Sequence, residues 1–393
     1  MHNGYSATSE YPGNIDFDIH GLIGIRLIDP SSGDFEGVSK LLGPPSKPSL
    51  TTPEITVRFV EDLSVPGLKF LGSDDYGFKD QRFYLLQRGT GNVQAWIPFD
   101  HIGEGCEIVC RRGTGSVPLL MAIIGLTALK RGHVPLHASA LVYNGVGILM
   151  AGWAHCGKTA ALLGFASKGA EFVGEEFVLL NGSGERMHGL VRPLELTQWH
   201  FASLAHVRRA VSLRNRCAFR GMGVLHALQK AILGERTQSS LVSRSLHRVS
   251  VAFEDRLRPL IAPSAFFGDR VRSSGASVDK IFLFVSHEDE KIEVRQFTPC
   301  EMASYLAVLV QYQLTPLLLP YVAYRFAFPG QRNEFLERVG ECSLASLTHA
   351  LRGKENYMVR LPYPHSFPKL FRAIQPLFKC ATTEAAGPVH AVA

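Results

Sequence analysis

Residues Gly152-Trp153-Ala154-His155-Cys156-Gly157-Lys158-Thr159 follow the pattern G-x-x-x-x-G-K-[ST]. Glycines let the backbone curl so that successive N–H groups point at one anion. A helix starting at Gly157 adds its positive dipole end. In such a loop the Lys158 ammonium reaches the β- and γ-phosphates of a nucleotide and the Thr159 hydroxyl binds Mg²⁺. The ligands expected are therefore ATP and Mg²⁺. The interior is bulkier than such loops usually are, with Trp153, His155 and Cys156 inside it. Trp153 is expected either over the phosphates or packed below the loop. His155 is either a phosphate donor or a surface residue without a role. Cys156, at a helix N-terminus, should have a lowered thiol pKa and make the loop sensitive to oxidation.

Two further acids and a histidine stand where phosphoryl transfer would need them. Glu175 and Glu176 follow Thr159 by sixteen and seventeen residues, between the strand-like runs Glu171–Val173 and Phe177–Leu180. Transfer to a hydroxyl needs a metal-binding carboxylate and a base for the hydroxyl proton. Neighbouring strand residues face opposite ways, so this pair suits a division of those two tasks; a solvated turn is the plain alternative. His137 falls in a strand expected to pair with the one that feeds the loop, where a core histidine is the competing reading.

Several elements must hold these residues. Leu136–Tyr143 and Val146–Ala151 are apolar strands separated only by Asn144-Gly145, a pair that accepts the positive φ of a type I′ turn, so the strands should form an antiparallel hairpin. A helix is expected over Lys158–Lys168. Before the loop, the runs Gly21–Ile28, Ile55–Val60, Gln81–Gln87, Val93–Ile97 and Glu107–Cys110 predict a small, mostly-β domain over residues 1–114, with Ser31–Thr52 as loop. Val117–Lys130 reads as a buried helix. Lys280–Val285 and Lys291–Phe297 read as a second hairpin. The uncharged stretch Met302–Tyr324 reads as a buried helix followed by an extended segment, because Pro316 and Pro320 should break it; its polar residues argue against a membrane span. Domains are therefore expected at 1–114, at 115–330 around the loop, and at 331–393 as a helical extension.

Composition narrows the class. Hydrophobic residues make up 46% and charged residues 19% of the 393, enough apolar matter for a sizeable core. Seven cysteines show no C-x-x-C pair, which argues against a zinc site or a disulfide scaffold; Cys106 and Cys110 read as half-buried thiols on one strand face. No secretory leader is legible at Met1–Asp18, so a cytoplasmic location is expected. The net charge of +6 is local: residues 201–260 hold 11 Lys/Arg and three acids, a balance of +8. That suits an anionic partner. Nucleic acid is the weaker reading, because the arginines lack interleaved aromatics. Arg192, Arg208, Arg209, Arg214 and Arg216 are candidates to neutralise transferred phosphate, the last four reading equally well as solvated surface.

Taken together, Leu136-His137-Ala138-Ser139-Ala140, Asn144-Gly145, Gly152–Thr159, Lys168-Gly169-Ala170 and Val173-Gly174-Glu175-Glu176 resemble the HPr kinase/phosphorylase-like family. The likeness covers about Val134–Leu180 and continues more loosely through Val191-Arg192-Pro193 and Lys280–Thr298. It implies an α/β (α+β) chain: an N-terminal mostly-β domain, then a PEP-carboxykinase-like P-loop domain with a mixed sheet and a helical C-terminal part. It also implies that His137 positions or deprotonates the acceptor, that Glu175 is the base and that Glu176 is the metal-associated acid. Family members often assemble, so the resemblance extends a homo-oligomer to this chain. The family's acidic pair usually includes aspartate, and its glycine-rich motif for the phosphocarrier substrate has no match here, which points to a different acceptor. The expected function is an ATP-dependent kinase acting on the hydroxyl of a peptide, protein or small metabolite. The alternative is a non-catalytic module that binds ATP or ADP.

Overall fold

The computed structural model describes residues 13–46, 52–72, 75–87, 89–197, 200–201, 204–213, 216–217, 221, 259–363 and 365–378. Its first eight strands are β1 (Asn14–Ile19), β2 (Ile23–Ile28), β3 (Ile55–Val60), β4 (Lys69–Leu71), β5 (Tyr76–Lys79), β6 (Arg82–Leu86), β7 (Val93–Trp96) and β8 (Cys106–Arg111). They form one sheet in the order β1-β2-β3-β8-β7-β6-β5-β4. Period-2 alternation buries Ile55, Val57 and Phe59 of β3 on one face. Because β2 and β3 run parallel, the chain must cross over between them, and helix α1 (Ser32–Leu42) makes the crossing. This corrects the loop expected over Ser31–Thr52. The start signal was a capping box, in which Ser31 Oγ accepts from Asp34 N–H and the Asp34 carboxylate accepts from Ser31 N–H. Asp34 is fully buried and also accepts from Gly113 and Gly115 N–H, which pins α1 to the end of β8.

The rest mixes helices with mixed sheets, as an α/β chain should. It comprises α2 (Leu120–Lys130), β9 (Val134–Leu136), β10 (Ala138–Tyr143), β11 (Val146–Gly152), α3 (Lys158–Ala166), β12 (Glu171–Gly174), β13 (Val178–Leu180), β14 (Arg186–Gly189), β15 (Leu194–Glu195), β16 (Leu260–Ile261), β17 (Ala276–Ser277), β18 (Lys280–His287), β19 (Glu293–Phe297), α4 (Pro299–Ala327), α5 (Val339–Ala350), β20 (Glu355–Pro362) and α6 (Phe367–Ile374), with shorter turns between. A six-stranded sheet has the order β12-β10-β11-β18-β20-β19, and a four-stranded sheet the order β17-β14-β13-β9. The β10–β11 hairpin forms as expected, with Asn144 at φ 51° and Gly145 at φ 77°.

Three expectations fail here for physical reasons. First, β18 and β19 are not a hairpin. β20 lies between them, parallel to β18 and antiparallel to β19. Residues 331–378 are accordingly not a separate helical extension, since they supply a central strand. Second, α4 is one helix of 29 residues that carries Pro316 and Pro320 inside it. Each proline removes one N–H donor, and packing of one face against α2, α5 and the sheets holds the helix through the loss. By length and composition alone α4 could cross a membrane, yet Met302, Leu306, Val310, Leu314 and Leu317 are buried in the main core. Third, the core does not stop at residue 114. Ile25, Val57, Ile123, Leu136, Leu283 and Leu347 belong to one buried cluster. A second cluster lies under α3 around Phe165, Phe172, Phe282, Val359 and Phe371.

The two later sheets touch main chain to main chain. A Cβ at Gly174 would sit 2.5 Å from the Gly189 Cα, and one at Gly189 would sit 2.4 Å from the Gly174 Cα. Only glycine allows that approach. The expected helix Leu225–Leu233 and Arg214 lie outside the described residues.

Candidate functional site

Strand β11 ends at Gly152, and α3 begins at Lys158 with Gly157 as its N-cap at φ 95°. The eight-residue motif therefore spans a strand-to-helix turn. Gly152 takes φ 154°, and a Cβ there would lie 2.5 Å from Phe284 O on neighbouring β18. A Cβ on Gly157 would lie 2.9 Å from the His365 ring. Both motif glycines are thus required by fit as well as by φ. Inside the turn His155 adopts φ 62°, a conformation disfavoured for a residue with a Cβ.

Lys158 is buried, and its Nζ donates to Gly152 O (2.9 Å) and Trp153 O (2.8 Å), so the ammonium lies inside the curl of the loop. The amides of Lys158 and Thr159 belong to the first turn of α3, where helix geometry supplies no acceptor. Thr159 Oγ1 donates to Glu175 Oε1 at 2.5 Å.

Glu175 and Glu176 occupy a tight turn between β12 and β13, closed by Phe177 N–H donating to Glu175 O (2.8 Å). Glu176 sits at φ 62° and points away to form an ion pair with Arg192. The two acids thus have separate partners, although neither lies on a strand. Glu175 is buried, and its Oε2 has no hydrogen-bond partner. Burial pushes its carboxyl above the usual carboxylate range, opposed by the Ser139 and Thr159 hydroxyls and by the charges of Lys158 and Arg192. Ser139 Oγ, also buried, makes no bond of good geometry but lies close enough to favour the charged form.

His137 is not within a strand. It is the single residue between β9, which pairs with β13, and β10, which pairs with β11, so the chain changes sheets there. That position aims the ring at the loop. Burial, with help from Lys158 and Arg192, pushes its pKa down to about 4, and the ring is neutral at physiological pH.

One cavity of about 280 Å³ is lined by His137, Ala154, His155, Gly157, Lys158, Thr159, Glu175 and Glu176. The structure therefore brings together most of the residues singled out from sequence. Cys156 and Trp153 stand apart. Cys156 is buried beneath the turn, and burial outweighs the pull of Lys158 and raises its thiol pKa, which corrects the expected reactive thiolate. Trp153 neither covers the cavity nor packs below the loop. It turns outward, half exposed, and stacks on Tyr312 of α4 with ring centroids 3.8 Å apart. Arg192 reaches the cavity through Glu176. Arg208 donates to Phe201 O and Arg216 to Val211 O and Arg209 O; with Arg209 they lie away from the lining. Cys106 and Cys110 are fully buried rather than half-buried, their thiols pushed up to about 12.

Sequence reasoning missed five lining residues: Glu195, Thr197, His200, Tyr363 and His365. His200 Nδ1 accepts from Thr197 N–H (3.1 Å), and burial pushes its pKa down to about 4. The neutral ring therefore carries its proton on Nε2. His365 Nε2 lies 3.0 Å from His155 O, and its Nδ1 lies 3.0 Å from Pro362 O, so the segment after β20 braces the loop. No motif marks these residues; only the long-range placement of β20 brings 363 and 365 to the loop.

No protein-family model and no curated protein matches this sequence.

Proposed function

We propose that the chain is an ATP-dependent kinase that transfers the γ-phosphate to a hydroxyl acceptor, on a P-loop domain of the HPr-kinase-like, PEP-carboxykinase-like kind. The observation that carries this reading is the contact of Thr159 with the buried Glu175 beside Lys158, at the first turn of a helix that opens into one cavity. A strand-to-helix turn with an incidental lysine would have no reason to bury an acid there.

The residues fit a bound Mg²⁺: a hydroxyl and a carboxylate already adjoin, and the second carboxylate oxygen is a buried acceptor without a partner. Thr159 and the acidic pair would hold the ion, which when bound neutralises phosphate charge. Lys158 exchanges its loop carbonyls for phosphate oxygens, and the first-turn amides of α3 add donors. Glu175, with its raised pKa, is suited to take the acceptor proton. Neutral His137 orients the acceptor rather than carrying charge. Glu176 is held by Arg192, which leaves Glu175 as the acid nearest Thr159 and favours a share in metal binding for it beyond the base role that the resemblance implies.

A specific observation supports the second reading, a nucleotide-binding module without turnover: Glu176 is already neutralised by Arg192, so one of the two acids is spoken for. Incubation with Mg·ATP and a panel of hydroxyl acceptors, followed by mass spectrometry beside Lys158→Ala, tests the proposal. One added phosphate with the parent alone is the expected result. Tight ATP binding without transfer or hydrolysis over the whole panel favours the second reading.

A further inference from the structure

Helix α4 presents to solvent a row spaced alternately three and four residues apart: Tyr305, Val308, Tyr312, Thr315, Leu319, Val322 and Phe326. That is the a/d spacing of a helix-pairing seam, carried over twenty-two residues. Leu319 is 61% exposed, Val322 65% and Phe326 76%. The opposite face of α4 is the one that fills the core, so this row is a second apolar face, left exposed among the described residues. It carries no charge. The only charged residues of α4 are Glu301, held in its capping box, and Arg325, paired with Glu337.

We propose that this face is the interface of a homodimer, in which α4 packs antiparallel on α4 of a second copy about a two-fold axis near Thr315. Three observations select that occupant. About Thr315 the row is nearly its own mirror image, with members at −10, −7 and −3 against +4, +7 and +11, so an antiparallel copy meets it within one residue of register, as an isologous interface requires. Thr315, the one small polar member, stands near the midpoint, where it lets the two backbones approach. With the adjoining Trp153 and Leu344, the exposed side chains offer roughly 900 Å², against the ~800 Å² that each partner of a standard interface covers.

Beside the row runs a groove of about 790 Å³ between α4 and α5, lined by Val308, Leu336 and Leu344, into which side chains of the opposing row fit. A bilayer surface suits the face less well, because interfacial helices flank their apolar stripe with Lys and Arg. Since Trp153 stacks on Tyr312, the dimer would lie against the outer side of the loop at 152–159. The proposal does not depend on what that loop binds.

Sedimentation equilibrium of the full chain from 1 to 50 µM tests it. The parent should be dimeric, and the double variant Val308→Glu/Leu319→Glu should be monomeric, with its dimer dissociation constant raised at least 100-fold. Its circular dichroism should be unchanged, because both side chains are exposed. Phe70→Glu alters an exposed apolar residue on another face and should leave the dimer intact. A monomeric parent over this range, a double variant as dimeric as the parent, or a Phe70→Glu variant that also dissociates overturns the proposal. So does a monomeric parent that co-sediments with phosphatidylcholine–phosphatidylserine vesicles, which would assign the face to lipid.

Discussion

Replacing Glu175 by glutamine separates chemistry from architecture at the proposed site. The glutamine carbonyl oxygen can still accept from Thr159 Oγ1, so the 2.5 Å contact has a neutral counterpart and the first turn of α3 keeps its support. What disappears is the negative charge and the proton-accepting capacity. A general base contributes about 10²- to 10⁴-fold, so kcat should fall by that factor, a barrier increase of about 3–5 kcal/mol. Affinity for the nucleotide without Mg²⁺, measured by calorimetry, should change little, because Lys158 and the loop amides are untouched. Stability should move the other way. Burial raises the folded pKa of Glu175 above its unfolded value of 4.5. Between those values the folded protein holds the extra proton, so the parent loses stability as pH rises through that window. The variant lacks this loss and should be the more stable of the two at neutral pH, with the gap closing as pH falls toward 4.5. Turnover of Mg·ATP with an active acceptor and urea unfolding at pH 5 and pH 7.5 supply the two readouts. Turnover within tenfold of the parent would refute the base assignment. Loss of nucleotide binding alongside turnover would show that loop geometry, and not charge, had been removed.

Other outcomes follow from the same geometry. Lys158→Ala should weaken nucleotide binding at least tenfold by calorimetry, since it removes the ammonium that the loop curls around. Gly157→Ala should cost about 1–3 kcal/mol in denaturant unfolding, because an L-residue at φ 95° is strained and its Cβ meets the His365 ring at 2.9 Å. Adding His365→Ala should recover the contact part of that loss and not the φ part, a difference that a double-mutant cycle reads. His137, His188 and His200 are each pushed down to about 4 by burial, from 6.5. Below pH 6.5 the unfolded chain takes up protons that the folded rings refuse, so stability should drop between pH 6.5 and 4 and be unaffected by these groups above that window. The slope is at most about 1.4 kcal/mol per pH unit for each ring, and less for the partly buried His188. Thermal unfolding from pH 4 to 8 checks it.

Local chemistry was legible where a few adjacent residues decide the outcome. Asn144-Gly145 specified its turn, the glycine–lysine spacing located the strand-to-helix loop, and period-2 runs such as Ile55–Val60 located strands. Long-range pairing was not legible. Nothing in Lys280–Phe297 says that Glu355–Pro362 will enter between its two strands, because either edge offers the same backbone donors and acceptors. Periodicity could not see that Leu136 and Ala138 belong to different sheets, since the apolar run continues straight through His137. Pro316 and Pro320 misled because helix-breaking rules describe an isolated helix, whereas α4 is held by a core on one side. The residues Tyr363 and His365 carried no motif at all; their place in the site depends on where β20 ends.

That late strand also sets an order of events during synthesis. One of the two parallel neighbours of β18 and the brace on His155 both come from residues 355–365, about two hundred residues after the loop itself. Until that stretch has left the ribosome, β18 and β19 cannot find the strand that joins them, and an apolar strand edge stays open to other chains. Competence of the loop is therefore gained only once residues 355–365 have emerged, and nascent fragments that stop short of residue 355 leave that edge unpaired.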